Sequence, residues 1–258
     1  MKKILVIGES CKDVFVYCHA ERLAPDLPVP VLRIIEETSN PGMAGNVVCN
    51  VKAIHGSVDL ITNPAWEEVT KTRYVHKNTN HTFIRIDAES KVPRIVLHDL
   101  SLQEYDIIAI SDYNKGFLTE EDIQAVCERH PAVFVDTKKK LGVWAKDAKI
   151  IKINNYEFER SQDTITPELS QKIIVTRGEH GAEYNCKLYP VVEKVEVKDS
   201  TGAGDSFFAG LLVRYVETGD IDESIRFANA CAAKVVTQKG VTLIERPDSS
   251  AYEQSKNI

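Results

Sequence analysis

The sequence predicts an α/β fold: a mainly parallel sheet sandwiched by helices, with a small separate β-sheet over it as a lid. Three observations carry that prediction. Apolar runs at 4–7, 58–61, 106–110, 132–135, 149–153 and 173–175 have the length and content of buried strands. Helical patterns near 44–55, 119–130, 141–147, 155–161, 166–172, 202–217 and 221–237 alternate with them and close the chain. Four strand-like segments at 13–18, 29–35, 71–77 and 82–88 do not fit that alternation, so they are assigned to the lid, spanning about 13–35 and 71–89. An edge hairpin without function is the alternative reading of this appendage.

Each element has a local reason. The run Met1-Lys-Lys-Ile-Leu-Val-Ile-Gly8 is too short for a secretory leader or a membrane span and reads as a first buried strand. Residues 24–30, Ala-Pro-Asp-Leu-Pro-Val-Pro, form a turn between the first two lid strands, and Asn78-Thr-Asn80 turns the second pair. His76 and His81 flank that turn and read as solvated. Asn40-Pro-Gly-Met-Ala-Gly-Asn46 opens the helix at 44–55. No linker or repeat divides the chain, so 1–258 reads as one domain, with 43% hydrophobic side chains to fill its core.

The net charge of −6 and the lack of a long basic run argue against a nucleic-acid surface. The six cysteines at 11, 18, 49, 127, 186 and 231 contain no C-x-x-C pair, and those at 49, 127 and 231 fall in apolar helices as small core residues. The expectation is a cytoplasmic protein that binds neither nucleic acid nor membrane.

The segment Asp199-Ser-Thr-Gly-Ala-Gly-Asp205 opens a helix on which Phe207, Phe208, Leu211, Leu212 and Tyr215 recur at helical spacing. With Gly202, Ala203 and Gly204 at its start, no bulky side chain covers the unpaired N–H groups, which makes a seat for a phosphate. Asp205 beside that seat repels an anion, so its presence needs a reason, and a general base for phosphoryl transfer supplies one. Its other reading is a carboxylate that complements the helix dipole.

Ligands in such sheets bind beyond the carboxyl ends of the strands. Those ends deliver Asp112 and Lys115, Asp136 and Lys138, Asn154 and Glu157, and Thr176 with Gly178. Asn154 and Glu157 fit an outer-shell magnesium role and equally a capping box. Lys138-Lys-Lys140 reads as a solvated run. Gly42 permits close backbone approach, and Asp13 and Asn46 offer bonds to a hydroxyl-rich ligand. No P-loop and no dinucleotide fingerprint occurs.

Together these residues resemble the ribokinase-like (PfkB) carbohydrate kinases. Asp199-Ser-Thr-Gly-Ala-Gly-Asp205 is similar to their D-x-T-G-A-G-D signature, Pro41-Gly-Met-Ala-Gly-Asn46 to their glycine motif, and Asn154-Asn-Tyr-Glu157 to their N-x-x-E. Thr176-Arg-Gly-Glu-His-Gly181 resembles their T-x-G-x-x-G, and Asn229 falls where the family places a residue near adenine. Within the family, 22–31, Ile110-Ser-Asp-Tyr-Asn-Lys-Gly116 and the hairpin from Thr72-Arg73 to Arg85-Ile-Asp-Ala-Glu89 are similar to segments of the heptose 7-phosphate kinases. The chain departs from them at Met43, where Gly is usual, at Gly45, where Ala is common, and at Thr137, where Pro is usual. It also has a short connection from Thr62 to Lys71, where relatives insert a helix and a strand.

The resemblance implies a ribokinase-like fold and transfer of the ATP γ-phosphate to a sugar hydroxyl with Mg²⁺. Asp205 would be the base, and Gly202, Ala203 and Gly204 the phosphoryl seat. Asn154, Glu157, Thr176, Gly178, Gly181 and Asn229 would serve the nucleotide, with Glu157 in the outer shell of the metal. Asp13, Gly42, Asn46, Arg85 and Lys115 would serve the sugar, with Arg22 behind the last two. A heptose 7-phosphate acceptor and a homodimer through the lid are the finer expectations. Another sugar, sugar phosphate or nucleoside is the rival acceptor, and an idle binding relative the rival class. The second domain of bifunctional relatives, with its H-x-G-H motif, is not expected.

Overall fold

The computed structural model describes residues 2–88, 92–192 and 195–253. In chain order, the N-terminal half supplies β1 (Ile4–Gly8), β2 (Ser10–His19), β3 (Arg33–Met43), α1 (Ala44–Ile54), β4 (Val58–Ile61), β5 (Thr70–His76), β6 (Thr82–Asp87) and β7 (Ile107–Asp112). The middle supplies α2 (Glu120–Arg129), β8 (Val133–Thr137), β9 (Ile150–Asn154), α3 (Asn155–Ser161), α4 (Pro167–Ser170) and β10 (Ile173–Thr176). The hairpin β11 (Ala182–Tyr184) and β12 (Lys187–Tyr189) follows, then α5 (Ala203–Thr218), α6 (Ile221–Val236) and α7 (Ser250–Glu253).

Eight strands form one sheet in the order β12-β11-β10-β9-β8-β7-β1-β4, parallel from β10 to β4 and antiparallel across the β11–β12 hairpin. β1 shows why it is buried on both faces. Ile4 and Val6 join the core beneath α1, α5 and α6, while Leu5 and Ile7 join the core beneath α2. Such an α/β fold, with a mixed sheet flanked by helices, is the expected class.

A second sheet, β3-β2-β5-β6, is the expected lid. Its inner strands β2 and β5 run parallel, which brings Asp13 opposite Lys71 and Phe15 opposite Arg73. β3 differs from the sequence reading: it starts at Arg33, beyond Pro30, and runs on through the glycine motif to Met43. Pro41 is tolerated there because β3 is the edge strand, and a missing N–H on the outer side costs no ladder bond.

Other departures are local. The segment near 141–147 holds only a short turn at Val143–Ala145, and the helix near 166–172 shortens to α4. The β11–β12 hairpin has no Gly to announce it, since Asn185 and Cys186 themselves take positive φ. Cys127 and Cys231 are buried as expected, and Cys49 is half-buried. His76 is not simply solvated: its Nδ1 accepts N–H bonds from Asn78 and Thr79 and holds the hairpin turn. β4 ends the sheet, and the short connection after it carries a single turn at Trp66–Glu68. No helix among the described residues is long and apolar enough to cross a membrane.

Candidate active site

The common core places the site. α1 and α5 pack on the same face of the sheet, so their first residues meet although they lie far apart in the chain. Asn46, in the first turn of α1, donates from Nδ2 to Asp205 Oδ2 at 2.8 Å. Tyr113, just after β7, donates from its phenol to Asp205 Oδ1 at 2.6 Å. Asp205 is buried, and that burial raises its pKa above the ordinary carboxylate value; Tyr113 and Asn46 pull it back down, Asp136 adds to the rise and Lys152 opposes it.

Gly202 is the N-cap of α5 with φ +81°, in the left-handed region that an L side chain enters at a cost. A Cβ there would lie 3.1 Å from Asn46 Nδ2, so the glycine also keeps Asn46 on Asp205. A Cβ on Gly204 would lie 3.2 Å from Lys152 Nζ, which puts a cation over the helix start. The Ala203 N–H donates to the Ser200 carbonyl at 3.2 Å. The seat is therefore built from Gly202 and Gly204 flanked by Lys152, with the Ala203 N–H engaged by the preceding turn.

Lys152 pairs with Asp136 at 2.8 Å, both buried, and Asp136 Oδ1 has no hydrogen-bond partner among the described residues. An unsatisfied buried acceptor beside a phosphate seat fits a site completed by a ligand, its metal or its water. No cluster of three metal-ligating side chains occurs among the described residues.

Asn154 and Glu157 form a complete capping box at the start of α3: Glu157 N–H donates to Asn154 Oδ1 at 2.9 Å and Asn154 N–H to Glu157 Oε2 at 2.8 Å. Glu157 Oε1 also takes Lys138 Nζ at 2.5 Å. This corrects the solvated reading of Lys138–Lys140. Lys138 is half-buried against Glu157, and Lys139 is buried on Asp112 at 3.1 Å; only Lys140 stays on the surface, paired with Asp163. Thr176 ends β10, its hydroxyl on the Ile153 carbonyl, and Gly178 is exposed just beyond. Gly181 and Asn229 converge on one group: a Cβ on Gly181 would collide with the Tyr189 carbonyl, and Asn229 Nδ2 donates to that carbonyl at 2.8 Å. Both fasten the edge hairpin.

A cavity of about 260 Å³ opens beside Asp205 and Gly202, lined on the lid side by Asp13, Lys71, Arg73, Arg85 and Asp87 and on the sheet side by Asn46, Tyr113 and Lys115. Asp13 Oδ1 takes Arg73 at 2.6 Å, and Gly42 must lack a side chain because a Cβ would lie 2.3 Å from Asp13 Oδ2. Arg85 makes a two-point pair with Asp87, both contacts at 2.7 Å. Lys71 and Lys115 have no such ion pair among the described residues, so they carry the cavity's positive excess. Arg22 does not line the cavity, whereas Lys71, which the sequence reading did not single out, does. A neighbouring cavity of about 410 Å³ shares Met43, Lys71, Asp87 and Lys115.

Sequence reasoning also missed Glu9 and Tyr113. Glu9 is wholly buried and accepts the N–H groups of Tyr113, Lys115 and Phe117 at 2.8, 2.9 and 3.3 Å. It thereby fixes the loop that carries two site residues. Met43 has φ +59° and ψ −130°, a conformation natural to glycine, which accounts physically for the Gly expected at that position.

Comparison with known proteins bears on the fold and the family. Residues 70–247 match the family described as pfkB family carbohydrate kinase. The chain is 30% identical to the Bifunctional protein HldE of Nitratiruptor sp., with 98% of this chain and 65% of that protein covered. It is likewise 30% identical to that of Helicobacter pylori strain J99, over 94% of this chain and 64% of that one. The chain thus spans just under two thirds of the length of these relatives. Among solved structures, phosphofructokinase-2 from Escherichia coli superposes with a TM-score of 0.71 at 15% identity, covering 98% of this chain and 99% of that one. Ribokinase from Thermotoga maritima gives 0.69 at 19% identity, over 98% of this chain and 99% of that one. With a family match over residues 70–247, and a buried carboxylate beside the glycine-bearing start of α5, the chain belongs to the pfkB family of carbohydrate kinases.

Proposed function

We propose that this kinase phosphorylates a sugar that already carries a phosphate, with heptose 7-phosphate as the acceptor and its anomeric hydroxyl as the attacked group. The observation that carries this reading is the charge of the cavity. Arg73 and Arg85 are neutralised by Asp13 and Asp87, while Lys71 and Lys115 remain to meet an anion on the acceptor. The likeness of the lid segments to heptose 7-phosphate kinases and the similarity to the HldE proteins support the same acceptor.

In this reading Asp205 takes the proton of the attacking hydroxyl as the new O–P bond forms, and the leaving electron pair departs on ADP. The N–H groups at Gly202 and Gly204, with Lys152, face the transferring phosphoryl oxygens. Glu157 and Asn154 would hold magnesium through water, and the ion would offset the phosphate charge. Asn46 orients the base rather than the sugar, while Asp13 and the Gly42 backbone border the sugar. Lys138 ties Glu157 to the strand ends. A homodimer through the lid is supported by exposed Ile34, Ile35, Ile84 and Ile86 on its outer strands.

The test is a pair of Michaelis curves. Lys115→Ala should raise KM for the sugar phosphate by roughly tenfold, the scale of one charged contact, and KM for the unphosphorylated sugar far less. Equal effects on both would remove the phosphate from this cavity.

A further inference from the structure

Tyr113 holds a position that the family reading does not require. Its backbone N–H is fixed by buried Glu9, and its ring lies near two cations, Lys71 Nζ at 5.0 Å and Lys138 Nζ at 5.6 Å from the centroid. Lys71 borders the sugar cavity, and Lys138 is bonded to Glu157 on the nucleotide side. The phenol oxygen reaches Asp205 Oδ1 at 2.6 Å, in the short range of a bond to an ionised acceptor. The torsion that turns a carboxyl group is broad and roughly two-fold. One donor on each oxygen, Tyr113 on Oδ1 and Asn46 on Oδ2, therefore fixes the plane of this carboxylate. Each oxygen keeps a further lone pair for an incoming hydroxyl.

We propose that Tyr113 is a positioning residue for Asp205: its hydroxyl pins the carboxylate plane and holds the group as an acceptor in a buried site until the sugar arrives. The inference rests on Asp205 being the base. Burial above all, and then the charge of Asp205, push the Tyr113 phenol far above its ordinary value, so it remains a donor throughout the working pH range. Tyr113 keeps its own proton, and the acceptor's proton goes to Asp205.

The other groups facing Asp205 come from every neighbouring element. They are Asp136 of β8, Lys152 of β9, Lys138 beyond β8, Lys115 beyond β7, and Cys11 and Asp13 of β2. The lid adds Lys71 and Arg73 of β5 and Arg85 and Asp87 of β6. Of these, Asp136 drives Asp205 toward the protonated form and Lys152 opposes it, so the hydroxyl of Tyr113 acts in a mixed field.

The decisive variant is Tyr113→Phe, which keeps the ring and removes the donor. The readout is the titration of Asp205 in protein labelled at the aspartate carboxyl carbon, with the resonance assigned by its loss in Asp205→Asn. The midpoint should move to higher pH in Tyr113→Phe. The acid limb of kcat/KM, measured with heptose 7-phosphate, should move with it, leaving activity on that limb lower by about tenfold. A ring that matters only for packing would leave both where they are, and that result would overturn the inference.

Thermal unfolding shows whether the variant folds. If it does not, wild-type protein labelled at the tyrosine ring carbon bearing the hydroxyl provides the second readout: the Tyr113 signal should shift at the Asp205 midpoint, and independence of the two would overturn the inference. Near-normal turnover in Asp205→Asn would remove the base and this inference together. A dead Asp205→Asn with an unmoved midpoint in Tyr113→Phe would remove this inference alone.

Discussion

Asn46 Nδ2 and Asp205 Oδ2, 159 residues apart in the chain, meet at 2.8 Å because α1 and α5 share one face of the sheet. The bond joins the glycine motif to the C-terminal signature, so neither motif is complete without the other. Asn46 is in turn held by Asn50, whose Nδ2 donates to the Asn46 carbonyl at 2.8 Å and to its Oδ1 at 3.1 Å.

That geometry makes Gly202 a sensitive point. Gly202→Ala should lower stability by about 1–2 kcal/mol through φ strain and should displace Asn46 from the base. Urea unfolding read beside kcat checks both, with kcat falling more than a stability loss of that size explains. A variant as stable and active as the wild type would show that the left-handed cap has no role.

Met43 offers a test with an inverted order. At most positions Ala is the better truncation, since Gly adds unfolded-state entropy. Here φ is +59°, so Met43→Gly should exceed Met43→Ala in stability by about 1 kcal/mol. Both should fall below the wild type if the buried Met side chain outweighs its strain. Paired denaturation curves settle the order, and an Ala variant more stable than the Gly variant would contradict the strained backbone.

Lys138→Ala should act on the nucleotide side. The Glu157 carboxylate then loses its cation, and KM for ATP should rise by about tenfold with a smaller change in kcat. Steady-state kinetics at saturating sugar reads this. A rise in sugar KM with ATP KM unmoved would place Lys138 in the other half of the site.

The parallel sheet, the lid hairpin and the α5 start were legible in the sequence because each has a local signal: apolar runs, alternation around a turn, and small residues before an apolar helix. Lys138 and Lys139 were not, since a run of three lysines reads as solvated until β7, β8 and α3 bring Asp112 and Glu157 to it. Glu9 reads as a polar residue after a strand, and only the loop folding back onto it reveals three N–H bonds. Asn46 was recognised as a polar site residue, but its partner was hidden by sequence distance. Gly181 and Asn229 show the converse: motif positions that the structure spends on the Tyr189 carbonyl.

The most direct measurement is magnesium-dependent ADP release from ATP over a panel of sugars and sugar phosphates, with wild type and Asp205→Asn side by side. Turnover on heptose 7-phosphate is expected, falling by about 10² to 10⁴ in kcat for the variant, while ATP binding persists. Turnover on another acceptor alone would keep the base and discard the acceptor. Near-normal kcat in Asp205→Asn would rule out Asp205 as the base, and ATP binding with no turnover on any acceptor would rule out the kinase itself.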